Sequence, residues 1–106
     1  MLLPEHKLDA LLTRHAELEA ALSGQHNSDF VKLSREFAEL EPVIDSIRAY
    51  RAASRELAEI DALMGDPATD PEMRALAEGE KGALQERRDR LAQQVRLALV
   101  PKDAMG

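Results

Sequence analysis

Cysteine and tryptophan are missing from the 106 residues, and two phenylalanines and one tyrosine are all the aromatics there are. Without cysteine there is neither a disulfide framework nor a thiolate metal site, and nothing calls for an oxidising compartment. No run approaches the roughly 20 apolar residues a membrane-crossing helix needs, and no basic segment leads into an apolar one at the start of the chain. A cytoplasmic location is the expectation. The charge balance lacks a basic excess: 14 Lys and Arg stand against 20 Asp and Glu, a formal charge of −6. That balance works against sequence-independent binding to a phosphate backbone. Valine, isoleucine and threonine are also scarce. What remains is rich in alanine, leucine, glutamate and arginine, side chains that lose little freedom in a helix.

Apolar residues recur at helical spacing in every long segment. From Pro4, suited to a first helical turn, to Gly24, able to turn left-handed beyond a helix end, the row Leu8, Leu11, His15, Leu18, Leu22 forms one stripe. Gln25 to Ser28 reads as a polar connector, in which Asn27 or Ser28 can cap the next helix. The row Phe30, Leu33, Phe37, Leu40, Ile44, Ile47 follows, with Pro42 in its middle. A proline there disfavours helix at Glu41 and costs about 3 kcal/mol. The expectation is a break or sharp kink: a short helix over Asp29 to Leu40, then a longer one over Pro42 to Met64, closed by Gly65. Asp70-Pro71-Glu72 combines an N-cap, a first-turn proline and an acidic residue facing the helix dipole, and so starts a last helix. Its stripe runs through Met73, Leu76, Ala77, Ala83, Leu84, Leu91, Val95 and Ala98 to a stop at Pro101, with Gly79 and Gly82 weakening its first half. Single-stripe helices are unstable alone and must bury one another. The fold expected is all-α, an elongated antiparallel, coiled-coil-like bundle of three long helices plus one short helix, one domain over residues 1–106.

Chemistry finds little foothold. His6, His15 and His26 have no partner at ligand spacing, so no metal is expected, and His15 reads as an imidazole at the bundle edge with a hydrogen-bond partner. The glycines are too scattered to cradle phosphate, no serine sits in a nucleophile elbow, and the Asp66 to Glu72 turn carries prolines where a calcium loop needs alternating oxygen ligands. No catalytic residue and no cofactor are expected. Charge is uneven, however. Residues 1–71 hold seven basic and fourteen acidic side chains, residues 72–106 seven and six. Arg87, Arg88 and Arg90 form the tightest cationic cluster, with Glu86 one turn from Arg90. A solvated helix face accounts for them; the functional alternative is a contact to an acidic protein or a phosphate.

Four stretches carry a family resemblance. They are the helix-one pattern over Leu8 to Leu22, Leu33-Ser34-Arg35-Glu36-Phe37-Ala38-Glu39-Leu40 before the proline, Asp70-Pro71-Glu72-Met73 with Leu76-Ala77, and the closing Leu99-Val100-Pro101-Lys102-Asp103. In order and spacing they resemble the N-terminal domain of bacterial class I peptide chain release factors, most of all the release factor 1 branch, where a Leu-Pro-Lys-Asp type sequence marks the exit from this domain. Gly79 and Gly82 depart from the helix-favouring residues usual there. The resemblance implies a domain of a protein that directs termination at UAA and UAG. It places the codon-reading tripeptide and the Gly-Gly-Gln motif in later domains, so this chain is expected to be a fragment without hydrolase activity. It also implies an accessory role on the ribosome, near the stalk base and the class II release factor GTPase. The bundle is expected to be a monomer, with no membrane and no direct nucleic-acid contact.

Two other readings compete. One is a structural coiled-coil adaptor that dimerises through its apolar seams, which solution mass would reveal. The other is a tRNA-binding helical arm, disfavoured by the acidic first two thirds of the chain.

Overall fold

The computed structural model describes residues 3–24 and 29–100, and among these residues no strand occurs. Three helices follow one another: α1 over Glu5–Ser23, α2 over Phe30–Gly65 and α3 over Pro71–Leu99. Pro4 stands at the N-cap of α1 with an extended ψ of 93°, one residue before the first turn expected for it, and its carbonyl accepts the amides of Lys7 at 2.9 Å and Leu8 at 3.2 Å. Gly24 departs from expectation, with φ −88° rather than a left-handed turn. At that end the Ser23 hydroxyl donates to the Ala20 carbonyl at 3.2 Å, serving an acceptor that a left-handed glycine would otherwise help to satisfy. Asn27 and Ser28 lie outside the described residues; Asp29 occupies the N-cap position of α2.

The short helix is a correction. The pieces expected over Asp29 to Leu40 and Pro42 to Met64 are one 36-residue helix with Pro42 inside it, leaving three helices rather than three and a short one. The reason lies in where the proline points. Pro42 and Ala38 are both exposed, so the Ala38 carbonyl that loses its amide partner faces water, which can replace the bond. On the opposite side Leu40, Val43, Ile44 and Ile47 pack without interruption into the core. Burial on one face carries the helix through a defect on the other.

α3 starts as its sequence says it should. Asp70 accepts the Glu72 amide at 3.0 Å with Pro71 in the first turn. The preceding turn is pinned by Asp66, whose carboxylate accepts the Ala68 amide at 2.9 Å and whose carbonyl accepts from the Arg74 guanidinium at 2.9 Å. Gly79 and Gly82 stay helical, with open space where a Cβ would stand.

Neighbouring helices run antiparallel: Asp9 meets Arg51 at 2.9 Å while the later Arg14 meets the earlier Glu36, and Lys81 meets Asp61 at 2.7 Å while the later Ala92 and Val95 cluster with the earlier Ile44 and Ile47. α1 packs on the first half of α2 and α3 on α2 from Ile44 to Asp61, giving extents of 61 × 36 × 19 Å. Leu3, Leu8, Ile44, Ile47, Ala92 and Val95 form the core, where all three helices contribute around the middle of α2. The α1 stripe is as expected, with Leu8, His15 and Leu18 buried. On α3 the expected stripe holds in part: Ala77 and Val95 are buried and Leu84 and Leu91 half-buried, whereas Met73, Leu76, Ala83 and Ala98 are exposed and Ala92, outside the expected row, is buried. α1 packs on α2 and not beside the α2–α3 tip, so α3 buries only the narrow edge that faces α2.

Candidate functional site

His15 was the natural place to look for a reactive group, and its surroundings are structural. It is 5% exposed, stacked on Phe37 with ring centroids 4.8 Å apart. Its Nε2 lies 3.4 Å from a Glu41 carboxylate oxygen but is not aligned for a hydrogen bond, so the partner expected for that atom is a carboxylate in contact only. Among the described residues no three His, Cys, Asp or Glu side chains gather where a metal ion could sit, and no helix is long and apolar enough to cross a membrane.

Beside His15, Arg14 grips Glu36 through two hydrogen bonds of 2.6 and 2.8 Å. Those bonds hold the Glu36 carboxyl below the usual glutamate range and raise the Arg14 pKa further above its own. Burial works against the charge of Arg51, but hydrogen bonds and Coulomb attraction from Asp9 and Glu5 outweigh it, and its pKa is raised. A carboxyl whose folded pKa is lowered adds stability above its unfolded value, about pH 4.3, and that contribution is lost as pH falls through the folded value. The Arg14–Glu36 pair is exposed to solvent and screened, so the effect is small. Glu36→Gln is expected to unfold at slightly lower urea than the parent at pH 7, with the two midpoints converging as pH drops to about 3. A gap that stays constant across that window would rule out a charge-based contribution.

The structure separates the arginine trio. Arg87 and Arg90 are exposed and line one face of α3 with Ala83, Leu91 and Gln94, around a shallow hollow of about 440 Å³. Arg88, one step along the helix, is half-buried on the α2 side, and its Nε lies 3.0 Å from the Asp89 carboxylate. Residues 87 and 88 are about 100° apart around a helix, so adjacency in sequence put two of the three on different faces. The Glu86–Arg90 pair suggested by spacing does not form; neither Arg87 nor Arg90 makes an ion pair with a described residue.

Arg87 and Ala83 also line a second hollow of about 280 Å³, completed by Glu80, Leu84 and, from α2, Glu56 and Ile60. The two hollows adjoin at Ala83 and Arg87, with Arg90 on the first and the carboxylates of Glu56 and Glu80 on the second. Glu56 and Glu80 were not singled out from sequence. They meet Arg87 only through the α2–α3 register, for which a lone periodic stripe carries no signal.

The chain matches the PCRF domain family over residues 11–106. No solved structure matches it.

Proposed function

Because the chain belongs to the PCRF domain family, the helical domain of class I peptide chain release factors, which act in translation termination, we propose that it is the N-terminal domain of a factor specific for UAA and UAG. In this reading it is an accessory module that contacts the ribosome near the stalk base and the class II release factor GTPase, with no catalysis of its own. Its place of action is the cytoplasm. The family match across residues 11–106 is the observation that carries the reading. The codon assignment rests on Leu99-Val100-Pro101-Lys102-Asp103.

The geometry supports a contact role. A slender bundle with shallow hollows offers a shaped exterior rather than an enclosed reaction chamber. The seams that a coiled-coil adaptor would need for a partner chain are occupied internally, with Leu8, Leu18, Ile44, Ile47 and Val95 fully buried in one chain. That favours a monomer.

The test uses an intact release factor carrying this domain. Replacing Arg87, Arg88 and Arg90 by alanine is expected to leave peptide release on UAA- and UAG-programmed ribosomes within about twofold of the parent, and to slow GTPase-dependent recycling about fivefold. Arg88 is half-buried and gives up some packing as well as its pair to Asp89, so circular dichroism first checks that the bundle stays folded. Release at UGA would overturn the codon assignment, and recycling at the parental rate would remove the arginines as the contact.

A further inference from the structure

The outward face of α3 carries a pattern its own fold does not use. Leu76, Ala83, Arg90 and Leu97 stand seven residues apart, so they share one row, and all four are exposed. Leu76 is 59% and Leu97 56% exposed, although the seam toward α2 has buried Ala77, Ala92 and Val95. Three of the four are apolar, so the row is an apolar strip interrupted by Arg90 and flanked by charge, short of the paired apolar rows of a full coiled-coil seam. Beside it runs a second row, Glu80, Arg87 and Gln94, at the same spacing. Ala83 leaves room at the centre for a backbone to approach, and Leu91 and Ile60 supply apolar lining on either side.

The geometry points to this face as the docking site for an amphipathic helix of a partner protein, one that sets acidic residues against Arg87 and Arg90 and basic residues against Glu56 and Glu80. The inference rests on the contact role proposed above and names its partner's chemistry. Two features select the occupant. The row from Leu76 to Leu97 spans about 32 Å at 1.5 Å per residue, or roughly six helical turns of a partner. Charge then fixes direction. Arg87 and Arg90 have no carboxylate partner within the described chain, and Glu56 and Glu80 make no ion pair either, so each keeps its charge for an incoming side chain. A helix laid the wrong way round would set like charges together. RNA is the poorer fit, because Glu56 and Glu80 would repel phosphate and the two exposed leucines would find no apolar counterpart.

The experiment titrates the 106-residue protein, isotopically labelled, with a synthetic 21-residue amphipathic helix bearing two glutamates toward one end and two lysines toward the other. A second peptide has the two pairs exchanged relative to the helix direction and its apolar face. NMR shifts are expected at Ala83, Arg87, Arg90 and Leu97, with one polarity binding about tenfold tighter than the other at low salt. Arg87→Glu with Arg90→Glu is expected to abolish that preference, and adding Glu56→Lys and Glu80→Lys to reverse it. All four side chains are on the surface or its edge, and circular dichroism checks that the helices persist. Equal affinity for both polarities, or shifts confined to α1, would overturn the proposal. So would an RNA hairpin that binds as tightly through the same residues, or a concentration-dependent dimer whose contact is this face. Peptide binding and factor recycling are read separately: polarity-dependent binding with unimpaired recycling would sink the contact role and leave the docking face standing, and the opposite pair of results would do the reverse.

Discussion

Ile47→Ala is expected to lower the unfolding free energy by about 3 kcal/mol and the midpoint of thermal unfolding by roughly 15 °C. The side chain is fully buried in the cluster where Leu3 and Leu8, Ile44 and Ile47, and Ala92 and Val95 come together. Truncation removes three buried carbon groups, worth about 0.8 kcal/mol each in transfer, and leaves a cavity whose cost adds to that. Collapse of the cavity is limited from three sides. Val95 and Ala92 belong to α3, Leu8 to α1, and each helix is held at its own angle by further contacts, such as the Arg51 pairs to Glu5 and Asp9. The consequence extends beyond one residue, because the junction lies where α1 rests on the middle of α2. Ile47→Val, which loses one methyl group, should cost only about 1 kcal/mol, so the two variants together read cavity size rather than generic damage. Urea unfolding followed by far-ultraviolet circular dichroism measures both. A loss below about 1 kcal/mol for the alanine variant would mean that the three helices do not close on this residue.

What could be seen in the sequence follows from how local each signal is. The start of α3 was legible because Asp70, Pro71 and Glu72 act on the amides of their own first turn, and the Asp70 to Glu72 hydrogen bond is the feature they encode. The α1 stripe was legible because its buried leucines stand between charged neighbours, Leu8 between Lys7 and Asp9 and Leu18 between Glu17 and Glu19, so a single row is the only apolar choice there. The α3 stripe was less so. Leu76 and Ala77 are neighbours, both acceptable in a core, and only the register against α2 leaves Leu76 outside and Ala77 inside. The candidate site shows the same limit. Arg87 and Arg90 were visible as a charge cluster, but the carboxylates of the adjoining hollow come from Glu56 on α2 and Glu80 on α3, which lie 24 positions apart in the chain. Periodicity tells which edge of a helix is apolar; it does not tell which turn meets which.

Pro42→Ala is expected to stabilise the protein by about 2 kcal/mol and raise its thermal midpoint by roughly 10 °C. Proline inside a helix is about 3 kcal/mol less favourable than alanine, and the stiffness it lends the unfolded chain returns only about 0.4–1 kcal/mol of that. Nothing needs to repack. Position 42 is exposed, the alanine Cβ replaces one already present, and the restored amide has the Ala38 carbonyl as its acceptor one turn back. Pro42→Gly separates the two contributions. It restores the same amide but adds the backbone freedom of glycine, so it should fall about 1 kcal/mol short of the alanine variant. Differential scanning calorimetry compares all three proteins. If both variants gain stability in that order, Pro42 is a tolerated defect on the wet side of α2, and the buried row of Leu40, Ile44 and Ile47 holds the helix together across it. If the alanine variant is instead no more stable than the parent, the proline must set the direction of α2 beyond that turn. Restoring the amide would then draw Phe37 and Glu41 away from His15, and Ile44 away from Leu8, by as much energy as the new hydrogen bond supplies.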